Sequence, residues 1–510
     1  MLKFKEIEAA EEKQLELGDA QVLLSTLSEL RQEVYQKGQE TFMRWRPLLH
    51  RKAFRPSALN LAHYLAFREH DLRPLQTELM PWGLSSLGRS EARVLPNLDA
   101  VIATLSIICG KKGEVVKHPP SKAFFGGEHI LAHNVTELFG VQRSSRRIRI
   151  MVTFPTEAAQ DYDLVKEFVQ RGMNCARINC AHDIKTDWAA MIENLHRAEA
   201  ETGHSCKLLM DLAGPKPRTG QVVSPLPEAR LYPGELMLLT RTMQPQPSET
   251  YRFQAGCSLP EIFDGVRTGA TVWLDDGKLK ARVEQVLPEG IELRVIQTGP
   301  KGFRLKPDKG LNFPDTVSDL SPLTKKDYHD LDFIVTHADM VGYSFVQEVG
   351  DLELLQKALK ERLDEKVQKI AIIAKIETQQ AVHNLPELIV TAAGKHPFGV
   401  MIARGDLAVE IGYQRMAEIQ EEILWLCEAA HIPVVWATQV LENLVSKGTP
   451  SRAEMSDAAM GEQAECVMLN KGPFVSEAIT ILDDVLTRMQ DHQLKKTAQL
   501  RALRVWQKQE

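Results

Sequence analysis

The stretch DLAGPKPRTG, residues 211–220, follows the apolar run KLLM, so an expected strand ends on the carboxylate of Asp211 and a turn presents Lys216 five positions on. Such a lysine is either a solvated loop residue or a fixed cation beside something anionic. Other short apolar runs end on residues of the same kind: Arg177 and Asn179, Ser344, Lys375 with Glu377, Arg404 with Asp406, Thr438 with Gln439, and Asn470. Polar residues are ordinary at strand ends, and each taken alone has a structural reading. Carboxylates, cations and a hydroxyl aimed at one mouth would instead bind a magnesium ion and a phosphorylated anion, since magnesium takes few protein oxygens and phosphate asks for fixed positive charge.

Those residues need elements to bring them together. Eight short apolar runs recur after Arg146: RIRIMVTF (147–154), CARIN (175–179), KLLMD (207–211), DMVGYSF (339–345), KIAIIAK (369–375), FGVMIAR (398–404), PVVWATQ (433–439) and CVMLN (466–470). Amphipathic stretches long enough for a helix separate them, except for a gap of about 130 residues after Asp211. Buried strands alternating with helices predict an α/β fold, a closed (β/α)8 TIM barrel with its chemistry at the C-terminal strand ends. Inside the long gap, GELMLLTRT, GATVWLDDGKLKARVEQV and GIELRVIQT alternate and carry turn residues, which predicts an inserted small antiparallel β domain, a β-barrel lid, over 219–309. Asp275 and Asp276 in LDDG read as its hairpin turn. The barrel then comprises 141–218 and 310–490, with a tail at 491–510.

Residues 1–140 read as a separate helical domain. Leu23, Leu27, Leu30 and Val34 step by four, three and four onto one helix face, and Ser85 or Ser86 falls near a further helix start. Gly, Pro and Lys gather in CGKKGEVVKHPPSKAFFGGEH (109–129), a connector between domains. Regulation, dimerisation and docking are all open roles for this domain, and association into a homo-oligomer is left open. With 44% hydrophobic and 25% charged residues the composition is that of a soluble globular protein, and a net charge of −6 gives no field for nucleic acid or an anionic membrane. The charged N-terminus lacks the apolar core of a signal peptide, and no run approaches the ~18 apolar residues of a spanning helix, so a cytoplasmic location is expected. Seven scattered cysteines with no CxxC pair suggest reduced thiols, neither a disulfide framework nor a zinc site.

The fragments CARINCAH, DLAGPKPRTG, VWLDDGKLKARV, KGLNFPD, AKIE, ARGDLAVEI, WATQVLENL and SRAEMSDAA occur in an order and spacing that resembles the pyruvate kinases, over roughly 145–485. The resemblance implies a barrel interrupted by a mobile lid, and transfer of a phosphoryl group from phosphoenolpyruvate to ADP. By implication Glu377 and Asp406 hold Mg2+ or Mn2+, Lys375 neutralises the phosphoryl group in flight, and Arg177 grips the transferred phosphate. Ala403, Gly405 and Asp406 stand at the start of an expected helix whose amides would bind the substrate carboxylate. Thr438 matches the threonine beside the enolate carbon, relaying a proton through water. His182, Arg218 and Lys309 fall on the nucleotide side. Pyruvate kinases that need potassium resemble DTKGPE in the first loop quoted above. Here Leu212, Ala213 and Lys216 resemble members that work without it, and Ala181 stands where a serine ligand is usual. The resemblance therefore implies that Lys216 replaces potassium as a catalytic cation.

Departures from the family pattern are also legible. Thr153, Phe154, Pro155 and Thr156 replace the TIGPAS pattern, NKGPFVSEA (470–478) shortens the SGETAKG loop, and about 30 residues follow Ala478 where a C-terminal domain is usual. These departures imply altered ADP affinity and loss of the usual sugar-phosphate effector site and one oligomer contact. Two alternatives stand beside the kinase: a magnesium-dependent lyase or aldolase acting through pyruvate enolate, and a catalytically weakened regulatory protein that binds phosphoenolpyruvate or nucleotide.

Overall fold

A computed structural model describes residues 17–85, 87–111, 116–143, 146–316, 320–363 and 370–499. Residues 1–16, Ser86 and the end of the tail from 500, all named in the sequence reading, lie outside the described residues. The chain divides into two compact units, one of residues up to His133 together with Trp425–His431, the other of the remainder.

The first unit is helical. Its long helix Leu17–Trp45 buries Leu23, Leu27, Leu30 and Val34, the stripe that the 3.6-residue period sets on one face, and packs them toward helices Arg55–Arg68 and Val94–Ile108. Asn60 ties three segments together: its Nδ2 donates to the carbonyls of Glu91 (2.7 Å) and Ala429 (2.8 Å), and its Oδ1 accepts from the Val94 amide (3.1 Å). Ser85 opens no helix; its hydroxyl accepts from the Leu87 amide at 3.3 Å. His431 lies 3.2 Å from the Ala92 carbonyl through Nε2 and 2.9 Å from the Ser57 hydroxyl through Nδ1. A carbonyl can only accept, so Nε2 carries the proton, and burial, pushing the ring down to about 4, keeps it neutral.

In the second unit eight parallel strands close a barrel: β1 (Arg149–Thr153), β2 (Cys175–Asn179), β3 (Lys207–Asp211), then, after an insertion carrying β4–β10, β11 (Met340–Tyr343), β12 (Ala371–Ile376), β13 (Phe398–Ala403), β14 (Val434–Ala437) and β15 (Cys466–Leu469). Their order around the barrel is β1-β15-β14-β13-β12-β11-β3-β2, each strand beside its neighbour in sequence. Nearly every strand residue is buried, because one face fills the barrel and the other meets helices, so the strands read as continuous apolar runs.

The insertion is one seven-stranded sheet, β4 (Thr219–Val223), β5 (Leu236–Thr240), β6 (Gln254–Cys257), β7 (Thr271–Leu274), β8 (Leu279–Leu287), β9 (Gly290–Thr298) and β10 (Leu311–Asn312), in the order β10-β7-β8-β9-β5-β6-β4. Most pairs are antiparallel as the alternation predicts, but β5 and β6 run parallel. Its edges meet where the chain enters and leaves: Arg218 bridges Gly310, the Thr219 amide donates to the Lys309 carbonyl (2.8 Å) and the Leu311 amide to the Pro217 carbonyl (2.9 Å). The sheet thus curls back on itself around Met237, Leu239, Phe263, Val272, Ile291 and Leu293. Asp275 opens the β7–β8 turn, its carbonyl accepting from the Lys278 amide at 3.3 Å, and Asp276 and Gly277 at its centre have φ of +54° and +86°, as a primed hairpin turn requires. Among the described residues no helix is long and apolar enough to cross a membrane, and all seven cysteines are free thiols.

Candidate active site

At the C-terminal ends of the barrel strands the expected residues form separate groups of contacts. Arg177, in β2, donates through Nε to Asp211 Oδ2 of β3 at 2.9 Å, through Nη2 to the same oxygen, and through Nη1 to Thr153 Oγ1 of β1 at 3.0 Å. Lys375 of β12 reaches Ser344 Oγ (2.8 Å), Glu377 Oε1 (3.0 Å) and Asp211 Oδ2 (3.8 Å). Glu377 Oε2 accepts from the Phe345 amide at 2.7 Å. Asp406, in the helix Arg404–Ile411 that follows β13, accepts through Oδ1 from Lys216 Nζ (2.7 Å) and Asn312 Nδ2 (3.1 Å). Thr438, just past β14, accepts the Gly405 amide on its hydroxyl at 2.9 Å, while Ala403 pairs in register with Ala437.

Electrostatics follow from packing these charges out of water. Burial works against the Lys375 ammonium, yet Asp211 and Glu377 outweigh it and raise the group above its ordinary value. Burial would likewise raise Asp211, but Lys375 and Arg177 hold it below the usual carboxylate range. Glu377 goes the other way: burial and the neighbouring Asp406 lift its carboxyl despite Lys375. Asp406 itself is kept low, against burial, by Lys216 and Asn312. Among the described residues no group of three or more His, Cys, Asp or Glu forms a metal cluster. A buried carboxylate, Glu377, raised by a partly buried one, Asp406, is nonetheless a donor set a divalent cation suits, since magnesium completes its shell with water and substrate oxygens.

The packing leaves no slack behind Asp211. Gly342 of β11 pairs with it in register, and a Cβ at that glycine would overlap Asp211 Oδ1. Gly342→Ala is therefore expected to push Asp211 off Arg177 and Lys375 and to lower stability by roughly 2–4 kcal/mol in denaturant unfolding.

Some residues sit elsewhere than at the mouth or carry unforeseen partners. Arg404 turns away: it ion-pairs with Asp457 and donates to the carbonyls of Ala437 (2.9 Å) and Thr438 (2.7 Å), fixing the end of β14. Lys309 pairs with Asp275 in the lid turn at 3.2 Å. His182 is lowered by burial and then by Lys471 and Arg218, with Asp183 and Asp308 opposing. Arg218 in turn touches Asp308 at 3.4 Å.

Three residues were not singled out from sequence. Lys471 stands in the shortened loop beside Asn470. Asn312 lies inside KGLNFPD and reaches Asp406 from the end of the insertion. Glu410 follows Asp406 by one helical turn, a spacing that could have drawn notice. Burial, then Asp406, push its carboxyl up to about 7, with Asn312 and Lys216 opposing and Asp315 adding. A carboxyl raised above its unfolded value near ~4.3 favours the neutral form in the fold. The ligand-free protein should then lose stability as pH rises from about 4.5 through 7, by roughly 1–3 kcal/mol after allowance for partial exposure, and Glu410→Gln should flatten that slope in unfolding measured across pH.

Residues 145–478 match the family model described as pyruvate kinase, barrel domain. A pyruvate kinase of Agrobacterium vitis is 33% identical over 362 residues, 69% of this chain and 71% of its own length. The human pyruvate kinase PKLR is 33% identical over 339 residues, 63% of this chain and 56% of its own. Pyruvate kinase 1 of Trypanosoma brucei brucei is 30% identical over 369 residues, 71% and 70% respectively. The chain thus spans a little over half the length of the human relative.

Proposed function

This chain belongs to the pyruvate kinase family, and on that premise we propose that it transfers the phosphoryl group of phosphoenolpyruvate to ADP, giving pyruvate and ATP, without a requirement for potassium. The observation that carries this reading is the continuous ladder Arg177–Asp211–Lys375–Glu377, with Asp406 beside Glu377, at one barrel mouth.

Glu377 and Asp406 are the residues to hold Mg2+ or Mn2+, which when bound supplies positive charge to the carboxylate and phosphate oxygens of the substrate. Arg177, locked in direction by Asp211 and Thr153, presents its remaining N–H groups to the phosphoryl oxygens; its fork suits a tetrahedral anion. Lys375 is kept protonated by two buried carboxylates and sets a permanent charge where the phosphoryl group passes, which is what phosphoryl transfer chiefly asks of a protein. Amides at the start of Arg404–Ile411 take the substrate carboxylate. Thr438, whose oxygen already accepts from Gly405, has its own proton to give, and a water between it and the enolate carbon completes the relay. His182 and Arg218 form the nucleotide side, with Lys309 arriving from the lid. Lys216, beside Asp406, supplies the unit charge that a potassium ion would bring.

A coupled assay with phosphoenolpyruvate, ADP and magnesium tests the reading. ATP and pyruvate in equal amounts are expected. Carbon–carbon cleavage from a pyruvate-derived substrate with no ATP would establish the lyase instead, and binding without product would establish a regulatory protein.

A further inference from the structure

The helix that carries Asp406 ends at Gly412, and the next residue, Tyr413, opens the helix Tyr413–Ala429. Tyr413 is 58% exposed, so its ring adds little to the core. Its hydroxyl instead donates to the carbonyl of Asp276, at 3.3 Å, in the lid turn. The next turn residue, Gly277, has φ of +86°, and a Cβ built there would lie 2.6 Å from Tyr413 Oη and 3.5 Å from Val409 Cγ2. Beside this contact Lys216, which holds Asp406 at 2.7 Å, lies 4.0 Å from the Asp276 carboxylate. Asp275 anchors the turn from the other side through Lys278 (2.9 Å) and Lys309 (3.2 Å).

We propose that Tyr413 is a positioning residue for phosphoryl transfer, a latch whose hydroxyl seats the lid turn Asp275–Gly277 on the helix that presents Asp406. The inference rests on the kinase reading and deepens it. Two features make the seat specific. The turn has three successive positive φ values and offers the Asp276 carbonyl to Tyr413, and glycine at its third position lets the tyrosine oxygen approach closely. The hairpin needs the turn, but the Tyr413 hydroxyl on its carbonyl is a contact that the hairpin does not need. A seated lid keeps water from the phosphoryl group and brings Lys309 toward the mouth; an unseated one leaves the group open to hydrolysis. Among the described residues Tyr413 bonds to the lid turn and not to Glu377 or Asp406, so its effect is assigned to the lid.

The test uses Tyr413→Phe, Tyr413→Ala, Gly277→Ala and the double variant Tyr413→Ala/Gly277→Ala in the full chain. Tyr413→Phe loses one hydrogen bond and should lower kcat/KM for ADP by ~3- to 10-fold, with a matching rise in phosphoenolpyruvate hydrolysis per ATP formed. Amide exchange at 275–278 should quicken, while exchange in the barrel strands stays as in the parent. Gly277→Ala should do more damage when Tyr413 is present than in a Tyr413→Ala background, because backbone strain is common to both and the crowding is not. Unchanged exchange at the turn in Tyr413→Phe, or additive effects of the two substitutions, would overturn the proposal. Exchange is read without turnover, so a parent protein that makes no ATP sinks the kinase reading and leaves the seating contact to be judged by its own measurement.

Discussion

Lys375→Met should reduce ATP formation by roughly 10³-fold or more while phosphoenolpyruvate still binds in the presence of magnesium. The ammonium acts on charge that develops as the phosphoryl group leaves, so its removal is felt in kcat more than in binding. Methionine keeps the length and much of the volume of the side chain, which spares the packing between Ser344 and Glu377. Charge balance is another matter. Asp211 and Glu377 lose a shared cation in a buried place, and breaking such a network costs about 3–5 kcal/mol when one partner goes. Arg177 continues to hold Asp211, so the loss falls on Glu377, whose carboxyl is already raised by burial and Asp406. The ligand-free variant is accordingly expected to melt lower than the parent, with much of the difference recovered on adding magnesium. Turnover by the coupled assay and thermal melting with and without magnesium and substrate separate the effects. A variant that melts like the parent and yet binds no phosphoenolpyruvate would show that Lys375 belongs to ground-state binding and that its assigned role is wrong.

The barrel is legible in the sequence because its strands are buried on both faces. An unbroken apolar run such as CARIN or KLLMD has no other comfortable setting, and the structure matches those two runs residue for residue. The insertion is less legible. β8 and β9 alternate over nine residues each, whereas β4, β6 and β10 are short and include Thr219, Gln254 and Asn312, so no period emerges from them. The strands place Arg177, Asp211, Lys375 and, one residue past β12, Glu377, because a strand fixes where the side chains toward its end stand. Loop residues lack that constraint. The lysine of DLAGPKPRTG meets its carboxylate 190 residues further along the chain, a separation that sequence spacing cannot assign to any one anion. Arg404 shows the opposite failure: it ends an apolar run and carries charge, but it opens the following helix and turns behind the mouth to Asp457 and two carbonyls. Asn312 escaped notice since an amide in a Gly- and Pro-rich return reads as turn chemistry.

Turnover of the parent protein should be the same, within about twofold, in sodium, tetramethylammonium and potassium salts at equal ionic strength, and Lys216→Gln should lose roughly 100-fold or more with no recovery in potassium. An ammonium on a four-carbon stem delivers one charge at a fixed place, and Lys216 is held there by Asp406 at 2.7 Å with only 17% of its side chain exposed. Glutamine fills the space and removes the charge. Potassium is not expected to substitute in that variant: of the positions that by the family resemblance would cage the ion, Asn179 and Asp211 carry oxygens, but Ala181 and Leu212 offer only apolar side chains, and a weakly held monovalent ion needs several oxygens to replace its water. The same reasoning predicts a gain. Lys216→Glu combined with Ala181→Ser and Leu212→Thr restores a carboxylate and two hydroxyls, and activity in that triple variant should rise with potassium where the parent's does not. Leu212 is 1% exposed, so the threonine brings a polar group into a buried place, and part of the potassium effect should appear as a higher melting temperature as well as faster turnover. Strong activation of the parent by potassium would reject the replacement outright, for it would mean that an ion still enters beside a lysine thought to exclude it.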